Sequence, residues 1–350
     1  MQPLDIVKLF AIEGNITEIK PLGNGLINDT LLVKTDGANN YVLQKINNAI
    51  FQDVELLQHN IDCATAHIRK KGALSLTFIP CKETGKTYWT DGKEYWRVSI
   101  FIKDAYTYET VNPEYSYYAG KAFGAFEAML ADIPDTLGET IPDFHNMELR
   151  ARQLHEAVKA DKAGRVANKE VQAILADLLQ YEEEMCKAER LYREGKLPKR
   201  ICHCDTKVNN MLFDAKGNIL CVIDLDTIMP SFVFSDFGDF LRTAANTVAE
   251  DSPEVDKVDF KMDIFESFAK GYLESAKVFL TPIEIENLPY AACLFPYMQA
   301  VRFFADYING DTYYKIKYPE HNLVRTRNQV ALFHAAMAKV PQMKAFIEKI

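Results

Sequence analysis

His203-Cys204-Asp205-Thr206-Lys207-Val208-Asn209-Asn210, followed by Val222-Ile223-Asp224-Leu225-Asp226, decides how this chain is read. The first stretch has the form H-x-D-x-K-x-x-N, and the second places an Asp at the end of an apolar run. Transfer of a phosphoryl group needs these residue types at this spacing. A carboxylate, Asp205, accepts the proton of an attacking hydroxyl, and Lys207 meets the moving phosphoryl group. Asn210 and Asp224 offer hard oxygen ligands to a Mg2+ that also holds nucleotide phosphates and waters. Asp226 is a second carboxylate beside Asp224, able to share that role. Asp214-Ala215-Lys216-Gly217-Asn218 supplies the turn between the apolar runs Met211–Phe213 and Ile219–Ile223, the second ending on Asp224.

The chain before this motif is strand-rich. Residues 3–12 read as a short amphipathic helix. Strands are expected at Ile16–Pro21, Asn28–Lys34 and Asn40–Ile46. Val54, Leu57, Ile61, Ala64 and Ile68 recur at helical spacing and predict a helix over 53–71. A hairpin follows, from Lys86–Thr90 through Asp91-Gly92 to Lys93–Ile102. The order β-β-β-α-β-β fits the amino-terminal lobe of a kinase. Beyond Lys103-Asp104 helices are expected at 113–131, at 167–195 as one long element, and at about 236–249, 258–278, 282–309 and 326–348, with a Pro-rich loop over 132–146. The fold class is therefore α+β, a bilobal protein-kinase-like fold. A nucleotide-binding N-lobe (residues 1–104) would meet, across a cleft, a C-lobe (residues 105–350) holding the catalytic loop and acceptor site.

Leu22-Gly23-Asn24-Gly25-Leu26-Ile27-Asn28 lies between the first two strands, where a glycine-bearing turn lets backbone approach phosphates. Gly23, Gly25 and Asn28 are its expected nucleotide contacts. Lys45, at the end of the third strand, is placed to meet the ATP phosphates as the strand-three Lys of kinases does. Glu55 on the following helix is a partner for that Lys or a surface carboxylate. Thr84-Gly85-Lys86-Thr87 resembles half of a phosphate-binding loop, but Pro80 stands where its first Gly is needed. Cys202 and Cys204 are too closely spaced for a zinc pair, so Cys202 is read as core and His203 as a brace for the catalytic loop. In Ser235-Asp236-Phe237-Gly238-Asp239-Phe240 one Asp is expected to cap a helix and the other to anchor that loop from below.

Composition bounds the partners. The chain has 350 residues, 48% of them hydrophobic, and a net charge of −9. An acidic chain of pI near 5.4 argues against a nucleic-acid or anionic-membrane partner. Seven Cys lack framework spacing, the Met1-Gln2-Pro3 start lacks a signal-peptide pattern, and no apolar run reaches membrane-spanning length. These features describe a reduced, cytoplasmic enzyme in which the Asn15 and Asn28 sequons are irrelevant.

H-x-D-x-x-x-x-N followed by Ile223-Asp224 resembles the aminoglycoside phosphotransferase/choline kinase-like superfamily. Within it the chain is most similar to the bacterial N-acetylhexosamine 1-kinases. That likeness rests on Gly23–Thr30, Tyr41–Asn47, His203–Asn210, Val222–Pro230, Phe234–Asp239, Val301–Tyr314 and His321–Arg327. It implies an ATP- and Mg2+-dependent kinase that phosphorylates the anomeric hydroxyl of N-acetylglucosamine or N-acetylgalactosamine. It also implies that Arg302 and Tyr313 face the sugar, whereas helical spacing alone would pair Arg302 with Asp306. The chain departs from that subfamily at Leu26, where His is expected, which bears on the 2-substituent it accepts. A polar acceptor suits the hydrogen-bonding side chains of Arg302, Asp306, Tyr307, Tyr313 and Tyr314. The alternatives are an aminoglycoside, choline-like or hexose acceptor, and a non-catalytic nucleotide-binding regulator, against which intact Asp205, Asn210 and Asp224 argue.

Overall fold

A computed structural model describes residues 1–23, 28–109 and 111–350. Its elements in chain order begin with α1 (Pro3–Val7), β1 (Ile16–Pro21), β2 (Asp29–Thr35), β3 (Tyr41–Ile46), α2 (Val54–Lys70), β4 (Tyr88–Thr90) and β5 (Tyr95–Ile100). They continue with α3 (Pro113–Leu130), α4 (Met147–Ala160), α5 (Lys169–Met185), α6 (Lys187–Arg193), β6 (Arg200–Cys202), β7 (Met211–Phe213), β8 (Ile219–Val222) and β9 (Met229–Ser231). The remainder is α7 (Phe234–Ala244), α8 (Met262–Ala276), α9 (Pro282–Glu286), α10 (Leu288–Asn309) and α11 (His321–Ile347). The class is α+β, as expected, with an antiparallel sheet in the amino-terminal part and helices in the remainder.

The chain divides into two compact units. The first holds Met1–Tyr108, Met129–Pro142 and Asn209–Pro230; the second holds Glu109–Ala128, Asp143–Val208 and Ser231–Ile350.

In the first unit the five strands run in the order β1-β2-β3-β5-β4. Strand alternation sorts their side chains. Val33, Tyr41, Leu43, Trp96 and Val98 form one core cluster, to which α1 adds Ile6 and Val7. Lys45 pairs with Trp96 in register and shares that face; Gln44 pairs with Arg97 and points the other way. α2 is capped by the Asp53 side chain, which accepts from the Leu56 N–H, and it buries Leu57, Ile61, Ala64 and Ile68. The β7–β8 hairpin turns at Asp214–Asn218, where the Asp214 carboxylate accepts from the Lys216 and Asn218 amides.

The second unit is helical around α10, which is buried along most of its length and packs on α4, α7 and α11. α3 and α8 meet almost backbone to backbone. A Cβ at Gly120 would overlap the Phe268 carbonyl, one at Gly271 would overlap the Tyr117 carbonyl, and one at Gly124 would lie 2.6 Å from the Tyr272 carbonyl oxygen.

Four expectations are corrected. The single helix over 167–195 is two, α5 and α6, interrupted at Cys186 with φ −84° and ψ 8°. The helix over 282–309 is likewise divided at Asn287, and Pro289 stands in the first turn of α10, where its missing N–H costs nothing. The helix α4 was not anticipated; Asn146 caps it by accepting from the Leu149 amide. Neither Asp236 nor Asp239 caps α7, whose N-cap is Val233. Among the described residues no helix is long and apolar enough to cross a membrane.

Candidate active site

The motif is divided between the two units: Asp205 and Lys207 belong to the second, Asn210 and Asp224 to the first. In the first, the hairpin ladder does the positioning. Met211 pairs with Val222, and the Ile223 amide donates to the Asn210 carbonyl at 2.9 Å. This bond holds the Asn210 and Asp224 backbones side by side at the open end of the hairpin. Asp224 takes a left-handed backbone, φ 60° and ψ 56°, which Asp tolerates better than most residues. An amide oxygen and a carboxylate are the donor chemistry that Mg2+ or Ca2+ favours, so the residues present fit a hard divalent ion.

Asp226 is differently engaged. Its Oδ1 is ion-paired to the Arg97 guanidinium at 2.5 Å and its Oδ2 accepts from Asn28 Nδ2 at 2.5 Å, with all three residues buried. The Asn28 carboxamide oxygen accepts from the Asn47 amide at 2.9 Å, so both ends of this expected nucleotide contact are spent on protein. Gly23 has φ +71°, and a Cβ there would meet nothing within 4 Å; it is needed for its backbone, not for space. Gly25 and Leu26 lie outside the described residues. Lys45 pairs with Glu94 at 2.5 Å and lies 5.8 Å from the Trp96 ring centroid. Glu55 is not its partner: that carboxylate takes Lys86 at 2.7 Å and Tyr88 at 2.5 Å.

In the second unit, Lys207 Nζ lies 2.6 Å from the Asp205 carboxylate. The loop that carries them is held from below. Asp236 accepts from the His203 and Cys204 amides, both at 2.7 Å, and Asp239 from the Thr206 amide at 3.2 Å. Cys204 has φ 64°, a strained value for a side chain of this kind, and the bond to Asp236 holds it there. The His203 ring nitrogen accepts from the Asp205 amide at 3.3 Å, and Phe123 and Phe126 pack edge-on against the ring. Behind Asp236 sits Glu127, wholly buried and bonded by the Tyr272 hydroxyl. Burial, with the Asp236 charge adding, pushes the Glu127 carboxyl well above its usual range. Glu127, Cys202 and Asp236 converge, but Asp236 already serves two amides and Cys202 Sγ the Phe232 carbonyl, so this is a hydrogen-bonded floor. Asp236→Ala strands two buried N–H donors. It should lower the unfolding free energy in urea by about 1–3 kcal/mol for each of them.

The expected sugar contacts also lie in the second unit. Arg302 does not pair with Asp306. The Asp306 carboxylate accepts from the amides of Thr312, Tyr313 and Tyr314 at 2.9, 2.8 and 3.0 Å, and from Asn322 Nδ2 at 2.9 Å. Arg302 instead reaches Gln299 at 3.3 Å and lies 5.7 Å from the Tyr314 ring centroid and 5.8 Å from that of Phe144. It makes no ion pair among the described residues. Burial and the Arg302 charge lower the nearby Arg150 to about 10. Tyr313 is 74% exposed on a loop whose backbone Asp306 holds still.

A family model described as the phosphotransferase enzyme family matches residues 18–272. The chain belongs to that family, within the aminoglycoside phosphotransferase/choline kinase-like superfamily. Solved structures of similar fold include an aminoglycoside phosphotransferase from Alicyclobacillus acidocaldarius subsp. acidocaldarius DSM 446, with 12% identity, a TM-score of 0.66, and 100% of this chain and 97% of that one covered. A microcompartment-associated aminopropanol kinase gives 16% identity, a TM-score of 0.64 and 97% coverage of each chain. The amicoumacin kinase hAmiN, solved with AMP-PNP, Ca2+ and Ami, gives 14% identity, a TM-score of 0.62, and coverage of 94% of this chain and 92% of that one.

Proposed function

We propose that this protein is an ATP- and Mg2+-dependent kinase of a small neutral acceptor, the anomeric hydroxyl of N-acetylglucosamine or N-acetylgalactosamine. The observation that carries the kinase reading is the β7–β8 hairpin, whose ladder sets Asn210 beside Asp224 within the family's matched span. Those two residues would hold the metal, which neutralises charge on the transferring phosphates. Asp205 orients the acceptor hydroxyl and takes its proton as the acceptor oxygen bonds to the γ-phosphorus; the bond from that phosphorus to the β–γ bridging oxygen breaks, and ADP leaves. Lys207 meets the phosphoryl oxygens. Gly23 would approach the phosphates through its backbone, whereas Lys45, paired with Glu94 on the sheet face opposite Arg97, is not placed to join it. On this reading residues 1–104 bind the nucleotide, and residues 105–350 carry the catalytic loop, its metal ligands and the acceptor site. ATP as co-substrate and the unpaired cysteines agree with a cytoplasmic reaction.

The acceptor reading rests on the likeness to hexosamine kinases together with the Arg302 environment. An ammonium-rich aminoglycoside or choline would need carboxylates or aromatic cages, whereas Arg302 and Arg150 present like charge. A neutral sugar instead suits a guanidinium donor and a held aromatic ring. ATP consumption against hexosamines, hexoses, aminoglycosides and choline, with product analysis, tests it; a sugar 1-phosphate is expected. A 6-phosphate, or faster turnover of hexoses or kanamycin-like acceptors, would overturn the sugar assignment. Arg302→Ala should raise the sugar KM tenfold or more and leave the ATP KM unchanged, since a bond from a charged donor is worth about 1.5–3 kcal/mol.

A further inference from the structure

Asn210 and Asp224 come as a pair, yet a second carboxylate stands two residues beyond Asp224 and is often as good a ligand. Its surroundings decide its role. Asp226 has one oxygen on the Arg97 guanidinium and the other on the Asn28 carboxamide. Arg97 Nε in turn donates to the Gln44 amide oxygen at 3.0 Å, and Gln44 Nε2 donates to the Thr30 hydroxyl at 3.2 Å. A polar line therefore crosses one face of the sheet from β2 through β3 to β5 and ends on Asp226. From the other side Thr140 donates to the Asp226 carbonyl at 3.3 Å, and Asn60 donates to the Ile228 carbonyl at 2.8 Å. The segment after Asp224 is thus gripped at 226 and 228 while Asp224 itself holds a left-handed backbone.

We infer that Asp226 is not a metal ligand, and that Arg97, Asp226 and Asn28 are positioning residues that set the Asp224 carboxylate for the metal. Asn28 extends the same grip. It immediately precedes β2, and through Asn47 it is tied to the end of β3. One buried carboxamide thereby links the start of the second strand, the end of the third and the segment after Asp224. Arg97 is the basic residue that the sheet turns toward Asp226; Lys45 lies on the opposite face. This inference rests on the metal role proposed above for Asn210 and Asp224.

The test reads metal binding as well as turnover. Mn2+ affinity of the full chain is measured by electron paramagnetic resonance with AMP-PNP present, alongside thermal melting and kinetics. Partners that orient a ligand carboxylate typically govern 10–100-fold in metal affinity. Asp226→Asn keeps the bond from Asn28 and removes the charge that Arg97 faces; it should weaken Mn2+ about 10–100-fold and leave the sugar KM unchanged. Arg97→Met should do the same, with a lower melting temperature because it strands a buried carboxylate. The double variant Arg97→Met with Asp226→Asn should recover the melting temperature while Mn2+ stays weak, which separates positioning from mere stability. Three results would overturn the inference: Mn2+ affinity in Asp226→Asn equal to wild type, Mn2+ binding abolished there as in Asp224→Ala, or Mn2+ affinity restored along with stability in the double variant. Wild-type protein that binds no Mn2+ with AMP-PNP would instead remove the metal assignment itself, and this inference with it.

Discussion

Asp205→Asn is expected to lower kcat by about 10²–10⁴ while leaving ATP affinity little changed, because general-base assistance is typically worth that much. The substitution keeps size and the capacity to accept one hydrogen bond, so the loop should stay in place on Asp236 and Asp239. What it removes is the negative charge 2.6 Å from Lys207 and, on the proposed mechanism, the proton acceptor for the attacking hydroxyl. An anomeric hydroxyl is more acidic than an ordinary alcohol, which favours the low end of that range for a sugar and the high end for a simple alcohol. Stopped-time assays at saturating ATP, with nucleotide binding measured separately, distinguish the cases. A variant that lost ATP binding and kept turnover per bound complex would make Asp205 a structural or metal residue.

Asp224→Ala is expected to cost more. Charge stabilisation by a bound metal is worth several kcal/mol, and each 1.36 kcal/mol is tenfold in rate, so the loss should be on the order of 10³ or greater. The fold should survive. Asp224 sits beyond the last ladder pair of β7–β8, and the hairpin closes without its side chain. Alanine is less at ease than Asp in the left-handed conformation, so a modest drop in melting temperature accompanies the loss of activity. Circular dichroism unchanged at assay temperature, together with a rate near background, is the expected pair of results. A near-wild-type rate would remove Asp224 from the metal site.

Much of the architecture was legible because it rests on local patterns. The β7–β8 hairpin announces itself through a Gly-Asn turn between apolar runs, and α2 through five buried positions at helical spacing. What was missed had weak local signals. Two of the four residues α4 buries are Ala151 and Ala157, too small to mark a stripe, although Asn146 before a Pro-free run was an available cap signal. No Gly or Pro flags the break at Cys186; the break at Asn287 was flagged by Pro289 and overlooked. At the site, long-range pairings were out of reach. Nothing near Asp226 in sequence indicates Arg97, and nothing near Lys45 indicates Glu94. The Asp306 carboxylate was given to Arg302 by helical spacing, yet three consecutive backbone amides compete for it and win. The alternation rule, applied to β3, would have shown that Gln44 and Lys45 face opposite ways.

The close meeting of α3 and α8 sets a limit on how this protein can be altered. The same turns of α3 that carry Gly120 and Gly124 also carry Phe123, Phe126 and Glu127, which lie under His203 and Asp236. Adding one methyl group at either glycine, or at Gly271, would wedge two backbones apart, and no side-chain rotation could absorb it. Substitutions at the proposed acceptor contacts Arg302 and Tyr313 leave this helix contact untouched. The floor beneath the His203–Lys207 loop depends on atoms that are missing, and at these three glycines no side chain can be added without moving backbone.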